Sequence, residues 1–282
     1  MKNHSPHDWP CPPQCKSGFL ANNPPVHDTF PKMKPLLQRD RRKSLPAIEP
    51  VAFPALRGAE VAAVFSGQRR GGDFYDVVRV SPSRVLFGLV DLQSRRRQNR
   101  KMPSALRRVF CDAGTQLLKS AEANEPDALI ELCIQLNRFV IERGGRAHSC
   151  PAFGGCYNED LGTVCYFNAG HTPALVRHSS SVSELATTGL PLGLFSHRTP
   201  SARMIALEPG AVLLLVSRSV VAAEAKGEEY GLRRVEENLK NTHLVSACDL
   251  CTVVLEGMQG FARKPLHEAI TALTLIRQRS WD

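Results

Sequence analysis

Two closely spaced cysteine pairs are the first residues whose types and spacing could bind a metal ion. They are Cys11 with Cys15, and Cys248 with Cys251. A structural zinc site usually needs four such ligands in two suitably spaced pairs. Because Cys248 and Cys251 fall within an apolar helical pattern, core packing explains them better than zinc. The chain's nine cysteines are an odd number scattered through apolar stretches, which predicts free thiols in a reducing cytoplasm.

A run of basic residues is the second candidate for chemistry. Arg95, Arg96, Arg97, Arg100 and Lys101 form the densest basic cluster outside the N-terminal region. Such a run is usually a solvated loop, but it can also bind phosphate or acidic groups. The net charge of +9 agrees with an acidic partner. Aromatic residues make up only 6% of the chain and do not interleave the arginines, which argues against a nucleic-acid partner.

Residues 1–44 are predicted to form a disordered tail. Eight of the chain's 20 prolines lie there, and the segment shows no apolar periodicity. Such a stretch cannot bury enough apolar surface to offset the entropy of ordering it. It could be a solvated linker or a docking segment. We find no signal peptide, and the apolar run Ala211–Val216 is far shorter than the roughly 20 residues of a membrane span. The expected location is therefore the cytoplasm.

Residues 45–282 are predicted to form one domain of the α/β (α+β) class. Apolar stripes at helical spacing run from Leu106 to Leu117, Leu129 to Val140, Leu232 to Leu239 and Leu250 to Phe261. Strands are predicted at Glu60–Phe65, Phe74–Val80, Arg84–Val90, Ala152–Tyr157, Thr163–Asn168, Ala174–Arg177, Arg203–Leu207, Ala211–Val216 and Ile270–Ile276. Strand runs separated by helix pairs do not alternate as in a doubly wound fold. They indicate two mainly antiparallel sheets covered by helices.

Six short motifs occur in a fixed order within this domain. They are Gly71-Gly72-Asp73-Phe74-Tyr75-Asp76, Val90-Asp91, Asn168-Ala169-Gly170-His171-Thr172-Pro173, Gly189-Leu190-Pro191-Leu192-Gly193, Leu207-Glu208-Pro209-Gly210 and Gly227-Glu228-Glu229-Tyr230-Gly231. Their order and spacing resemble the SpoIIE/RsbU branch of the PPM-type (type 2C) protein serine/threonine phosphatases, over about Leu45–Arg277. The resemblance implies a four-layer α-β-β-α sandwich. It also implies two Mn²⁺ or Mg²⁺ ions on carboxylates that activate a water against phosphoserine or phosphothreonine.

The chain departs from the family pattern at most of the metal-binding motifs. Asp73 and Asp91 match two metal-binding aspartates and are kept. The family's Val-Ser-Gly-His-Gly after the second aspartate is replaced here by Leu-Gln-Ser-Arg-Arg-Arg, ending in Arg95–Arg97. The third motif, Thr/Ser-Asp-Gly, is Ser217-Arg218-Ser219, and the fourth, Asp-Asp-Ile-Thr, is Glu268-Ala269-Ile270-Thr271. One carboxylate is therefore replaced by a cation and another is lost.

Arg218 decides between two interpretations of this site. A guanidinium cannot ligate a metal, and it repels a divalent cation in a partly desolvated pocket. We predict that the Arg218 guanidinium pairs with Asp73 or Asp91 and replaces the metal. In the alternative, Arg218 faces solvent and Asp73, Asp91 and Glu268 form a weak residual metal site. His171 is expected to hold its turn together rather than to do chemistry. Asp76 could support the site or be an ordinary polar strand residue.

The functional hypothesis is a pseudophosphatase that regulates bacterial phospho-signalling by binding. No cofactor is expected, unless the residual site holds Mn²⁺ or Mg²⁺. By the resemblance, the partner would be a protein such as an anti-sigma-factor antagonist, its kinase or another phosphorylated regulator. Arg95, Arg96 and Arg97, next to the expected site, are the predicted partner- or phosphate-binding residues. The alternative is a weakly active Mn/Mg-dependent protein serine/threonine phosphatase.

Overall fold

The structure of the protein is a computed structural model that describes residues 53–66, 73–92, 102–144, 149–179, 181–197, 200–242, 246–262 and 269–279. The strands are β1 (Ala59–Ser66), β2 (Phe74–Arg79), β3 (Arg84–Val90), β4 (Ala152–Asn158), β5 (Thr163–Ala169), β6 (Ala174–His178), β7 (Ser181–Leu185), β8 (Arg203–Ala206), β9 (Val212–Val216), β10 (Glu224–Ala225), β11 (Glu228–Glu229) and β12 (Ile270–Arg277). The helices are α1 (Met102–Leu118), α2 (Glu125–Gly144), α3 (Arg218–Val221), α4 (Gly231–Asn241) and α5 (Ala247–Ala262). The predicted tail, Arg95–Arg97 and Glu268 lie outside the described residues.

Two five-stranded antiparallel sheets form the centre of the fold. Their strand orders are β1-β12-β9-β6-β7 and β2-β3-β4-β5-β8. Strands with near-continuous apolar sequence, such as β3 and β9, are buried along their whole length, because both faces of their sheets are covered.

Three apolar clusters separate the layers of the domain. The central cluster joins the inner faces of the two sheets, with Phe87 of β3 and Leu213 of β9 among its members. A second cluster packs α1 and α2 on the outer face of the β2–β8 sheet. A third packs α4 and α5 on the other sheet, around Leu214 and Leu255. The predicted four-layer α-β-β-α sandwich is confirmed.

Short elements are where the sequence prediction was incomplete. Strand β7, helix α3 and the β10–β11 hairpin were not predicted. β7 is a mostly exposed edge strand, so it lacks an apolar alternation to recognise. The four residues of α3 are too few for a helical stripe.

The strand ends bring residues of the sequence motifs to one end of the sandwich. Phe74 of β2 pairs with Val90 of β3. Because the strands are antiparallel, Asp73, before Phe74, and Asp91, after Val90, lie at the same end of this pair. In the other sheet, Val216 of β9 pairs with Ala272 of β12, which places Ser217 near Thr271. Within the described part of the chain, no helix is both long and apolar enough to cross a bilayer.

Candidate functional site

Asp73 lies at the end of the domain where the two sheets meet. Its Oδ2 accepts a hydrogen bond of 3.0 Å from Oγ1 of Thr271, the second residue of β12. The main-chain N–H of Thr271 in turn donates to Oγ of Ser217 at 3.0 Å. Partial burial, and then the nearby charge of Asp91, raise the pKa of Asp73 to about 7, against the opposing effect of the hydroxyl hydrogen bonds. Asp73 is therefore partly protonated at neutral pH.

Asp91 is buried, and its carboxylate faces N–H groups. The main-chain N–H of Arg218 lies 3.4 Å from Oδ1 and 3.3 Å from Oδ2. Nε2 of His171 lies 3.5 Å from Oδ2. The main-chain N–H of Asp91 itself donates to the carbonyl of Pro151 at 2.9 Å. The carboxylate thus lies between the start of α3 and His171, while the main chain of Asp91 is held by Pro151.

His171 holds its turn together and also faces Asp91. Its main-chain N–H donates to Oδ1 of Asn168 at 2.8 Å, as a turn-stabilising role requires. Its Nδ1 lies 2.9 Å from the carbonyl of Thr172 and must carry the hydrogen, because a carbonyl only accepts. Burial opposes the charged form of His171, but the Asp91 carboxylate outweighs it and raises the pKa of the imidazole. The contact with Asp91 was not predicted, because the two residues are far apart in sequence.

The predicted ion pair of Arg218 is corrected by the geometry. The atom of Arg218 that contacts Asp91 is the main-chain nitrogen, whereas its side chain is exposed. Among the described residues, no ion pair joins the Arg218 guanidinium to Asp73 or Asp91. The physical reason is that Arg218 begins α3, and the orientation of that turn directs its N–H toward Asp91 and its side chain outward.

The described carboxylates do not fit a two-metal centre. No group of three or more His, Cys, Asp or Glu side chains in this part of the chain is arranged to hold a metal ion. Asp91 faces N–H groups, and position 218 offers a cation where an oxygen ligand would be needed. The predicted third ligand, Glu268, lies outside the described residues.

Asp76 belongs to the packing of the fold and not to this site. Its Oδ2 accepts hydrogen bonds from Nε of Arg107 at 2.7 Å and from Sγ of Cys111 at 3.1 Å, both on α1. Its Oδ1 accepts the main-chain N–H of Val77. Burial, together with the Asp76 hydrogen bond, raises the pKa of the Cys111 thiol to about 12. Asp76 thus links β2 to α1, which settles the question left open by the sequence.

Two cavities flank the aspartates. One, of about 200 Å³, is lined by Asp73, Tyr75, Ser104 and Arg107 among others. The other, of about 370 Å³, is lined by Asp91, His171, Thr172, Arg218, Glu229 and Gly231, with further apolar residues. Each cavity is lined by a residue that the sequence had identified, Asp73 in the first and Asp91 and Arg218 in the second. This end of the sandwich is therefore the candidate functional surface.

Comparisons with known proteins agree with this architecture. The family model of stage II sporulation protein E (SpoIIE) matches residues 107–278. Protein IcfG of Synechocystis is 24% identical over 211 residues, covering 67% of this chain and 33% of IcfG. The chain therefore spans about a third of that relative's length.

Solved structures give the same result for the fold. The RsbU and RsbW domains of Rv1364c from Mycobacterium tuberculosis superpose with a TM-score of 0.68 at 19% identity, covering 81% of this chain and 64% of that one. The PP2C phosphatase domain and regulatory-domain fragment of SpoIIE from Bacillus subtilis give a TM-score of 0.64 at 12% identity, covering 78% of this chain and 62% of that one. At these identities the likeness establishes a PP2C-type fold.

Proposed function

Since the chain belongs to the SpoIIE family and has a PPM-type phosphatase fold, we propose that it is a pseudophosphatase, which regulates phospho-signalling by binding. One observation carries the proposal: the Asp91 carboxylate faces the main-chain N–H of Arg218 and Nε2 of His171, in a chain whose residue 218 is a cation.

Charge supports the same proposal. A divalent cation at Asp91 would have to compete with the main-chain N–H of Arg218 and with Nε2 of His171, which already face the carboxylate. It would also meet the positive charge of Arg218, although solvent around the exposed guanidinium weakens that repulsion. The raised pKa of Asp73 further means that this second carboxylate is not fully charged at neutral pH. In this proposal the residual metal site of Asp73, Asp91 and Glu268 is weak or empty. The protein then requires no cofactor.

The partner that we propose is a protein of a phosphorylation-dependent regulatory pathway. One similar structure contains RsbU and RsbW domains in one chain, and another belongs to a cell-fate determinant. By analogy, the partner here is an anti-sigma-factor antagonist, its kinase or another phosphorylated regulator, in a partner-switching arrangement. Arg95, Arg96 and Arg97 are proposed to supply its acidic or phosphorylated surface with complementary charge.

The role of these arginines can be tested with an acidic phosphoserine peptide as the probe. Replacing all three with alanine should weaken binding and flatten its dependence on salt, because fewer counter-charges are involved. The matched control removes three exposed arginines elsewhere, Arg108, Arg138 and Arg233, and should change binding less. Equal effects of the two triple variants would show that net charge alone attracts the peptide.

The catalytic half of the proposal is tested with chelator-stripped protein. Calorimetry with Mn²⁺ should detect no binding, and p-nitrophenyl phosphate and a phosphoserine peptide should not be hydrolysed in the presence of Mn²⁺. Turnover that is lost in Asp73→Asn and in Glu268→Gln would instead establish the weak Mn/Mg-dependent phosphatase that the sequence left as the alternative.

A further inference from the structure

The cavity beside Asp91 has one cationic wall. Arg218 lies in its lining, its side chain is exposed, and no ion pair of its guanidinium occurs among the described residues. Its main chain is held by the contact with Asp91 and by the N–H of Ala222, which donates to the Arg218 carbonyl at 2.9 Å. The backbone is therefore fixed while the guanidinium remains available to a ligand.

A second donor group comes from the first turn of α4. Gly231 and Leu232 line the cavity, and the residue before them, Tyr230, makes no side-chain capping hydrogen bond. The first N–H groups of a helix lack partners within it and carry a partial positive charge. A Cβ atom built on Gly231 would meet no heavy atom within 4 Å, so the backbone there borders open space. Such a terminus can bind an anion when other donors converge on it.

His171 lies in the wall of the cavity and has one buried ring nitrogen without a hydrogen bond to the described part of the chain. Its side chain is fully buried, yet its Nε2 makes no hydrogen bond among the described residues. A buried polar atom without a partner is costly and calls for an explanation. With Nδ1 committed to the Thr172 carbonyl, Nε2 is the ring nitrogen that faces Asp91, 3.5 Å away, in the wall of the cavity that His171 lines.

Two carboxylates, Asp91 and Glu229, also line the cavity, and their negative charge opposes the binding of an anion. Asp91 already faces two N–H groups, so much of its charge is compensated. Glu229 is exposed in β11 and belongs to the same lining as Arg218. Glu229 can therefore compete with an anionic ligand for Arg218, and its removal should strengthen binding.

We propose that this cavity binds a phosphoryl dianion without any metal, through the Arg218 guanidinium and the first turn of α4. The proposal rests on the proposed function and gives it a ligand-binding site: the arginine at 218 contacts the phosphoryl group directly. A guanidinium suits this task because its planar donors can bind two phosphoryl oxygens at once. The volume of about 370 Å³ is many times the roughly 10–15 Å³ that a cavity needs to hold one water, so a phosphorylated side chain can enter.

The test is calorimetric titration of the full chain in chelator-containing buffer at low ionic strength. The probes are inorganic phosphate, a phosphoserine peptide and the same peptide without phosphate. The phosphoserine peptide should bind and its unphosphorylated twin should not. Binding of inorganic phosphate with equal affinity would identify a free anion as the occupant, whereas preference for the peptide would identify a phosphorylated protein.

Variants then assign the binding to this cavity. Arg218→Ala should weaken binding of the phosphoserine peptide by about tenfold or more, as expected for the loss of a charge-assisted hydrogen bond. The affinity of Arg218→Lys should lie between those of wild type and Arg218→Ala, because lysine keeps the positive charge but lacks the two parallel donors of the guanidinium. Glu229→Gln should tighten binding. The matched control is Arg233→Ala, an exposed α4 arginine outside the lining, and it should have little effect.

Equal loss in Arg218→Ala and Arg233→Ala, or no phosphate-dependent binding by wild type, would overturn the proposal. These measurements contain no metal, so they do not depend on whether hydrolysis occurs. Turnover with Mn²⁺ would refute the pseudophosphatase while leaving this site standing. The absence of metal-free binding would refute the site while leaving the pseudophosphatase intact.

Discussion

The main-chain N–H of Arg218 lies 3.3 Å from Oδ2 of Asp91, although the two residues are 127 positions apart in the chain. This contact joins the end of β3 in one sheet to the start of α3, which follows β9 in the other. The N–H dipole also compensates part of the negative charge of the buried carboxylate without a bound ion. The end of the sandwich can therefore be stable with two acidic groups and no metal.

The first prediction concerns divalent metals. Adding millimolar Mn²⁺ or Mg²⁺ to chelator-stripped protein should leave the melting temperature unchanged, because a ligand stabilises the folded state only if its concentration approaches its Kd. Thermal unfolding followed by circular dichroism measures this directly. A rise in melting temperature that disappears in Asp73→Asn would mean that a metal site survives.

The second prediction concerns pH. The pKa of Asp73 is about 7 in the folded protein, against an ordinary value of 3.8. Between these values the folded state holds more protons than the unfolded state, so the free energy of unfolding falls as pH rises. The raised pKa of His171 acts in the same direction, because stabilisation by its proton is lost as the pH rises through the pKa of the folded state.

Asp73→Asn removes the first of these contributions. Urea denaturation at constant ionic strength, from about pH 4.5 to pH 8, should therefore show a flatter decline for the variant than for wild type. The variant should also be the more stable of the two near pH 8, where wild type carries two neighbouring carboxylates. Parallel profiles for both proteins would show that Asp73 does not titrate in this range.

The sequence was sufficient for the long elements and insufficient for their contacts. The apolar patterns of β3, β9 and α5 are strong because these elements are buried, and their ends were located within about three residues. The proximity of Asp73 and Asp91 could also be predicted, because the two residues flank strands that were predicted to pair. By contrast, a sequence does not specify which atom of Arg218 meets Asp91, because that depends on the turn between β9 and α3.

The same limit applies to Asp76. Its partners, Arg107 and Cys111, lie on the outward helix α1, and the register of that helix on β2 follows from packing of the whole layer. Periodicity predicts which face of a helix is apolar. It does not predict which polar residue at the edge of that face reaches a given carboxylate.

The third prediction tests a buried ion pair that positions α2. Nε of Arg84 donates to Oε1 of Glu125 at 2.7 Å, and both side chains are buried. Arg84 also donates to the carbonyls of Ser120 and Ala121, so it cannot leave when its partner is removed. Glu125→Ala should lower the free energy of unfolding by about 3–5 kcal/mol, because an unpaired charge remains buried.

Urea denaturation measures this loss. The matched control is Glu237→Ala, which breaks the exposed i,i+4 pair with Arg233 on α4 and should cost less than about 0.5 kcal/mol. Similar losses in the two variants would mean that the Arg84–Glu125 pair contributes no more than a surface contact.

The fourth prediction uses Arg218 to distinguish a damaged metal centre from a surface that never binds metal. Arg218→Ala should change stability little, since the guanidinium is exposed and the contact with Asp91 is made by the main chain. Arg218→Asp adds a third carboxylate at the start of α3, and its shorter side chain can turn toward Asp91, which residue 218 contacts through its main-chain N–H. Without metal, mutual repulsion should destabilise this variant relative to Arg218→Ala.

Mn²⁺ should then restore the stability of Arg218→Asp, because three oxygen donors at one place suit a hard divalent cation and the repulsion between them is relieved on binding. Arg218→Asn is the matched control: it has nearly the same shape without the charge, and it should respond to Mn²⁺ no more than wild type does. The measurement is the melting temperature of each variant with chelator and with millimolar Mn²⁺. If Arg218→Asp is as indifferent to Mn²⁺ as Arg218→Asn, the carboxylates do not converge closely enough for a shared ion, and replacement of the residue at 218 is not what abolished metal binding.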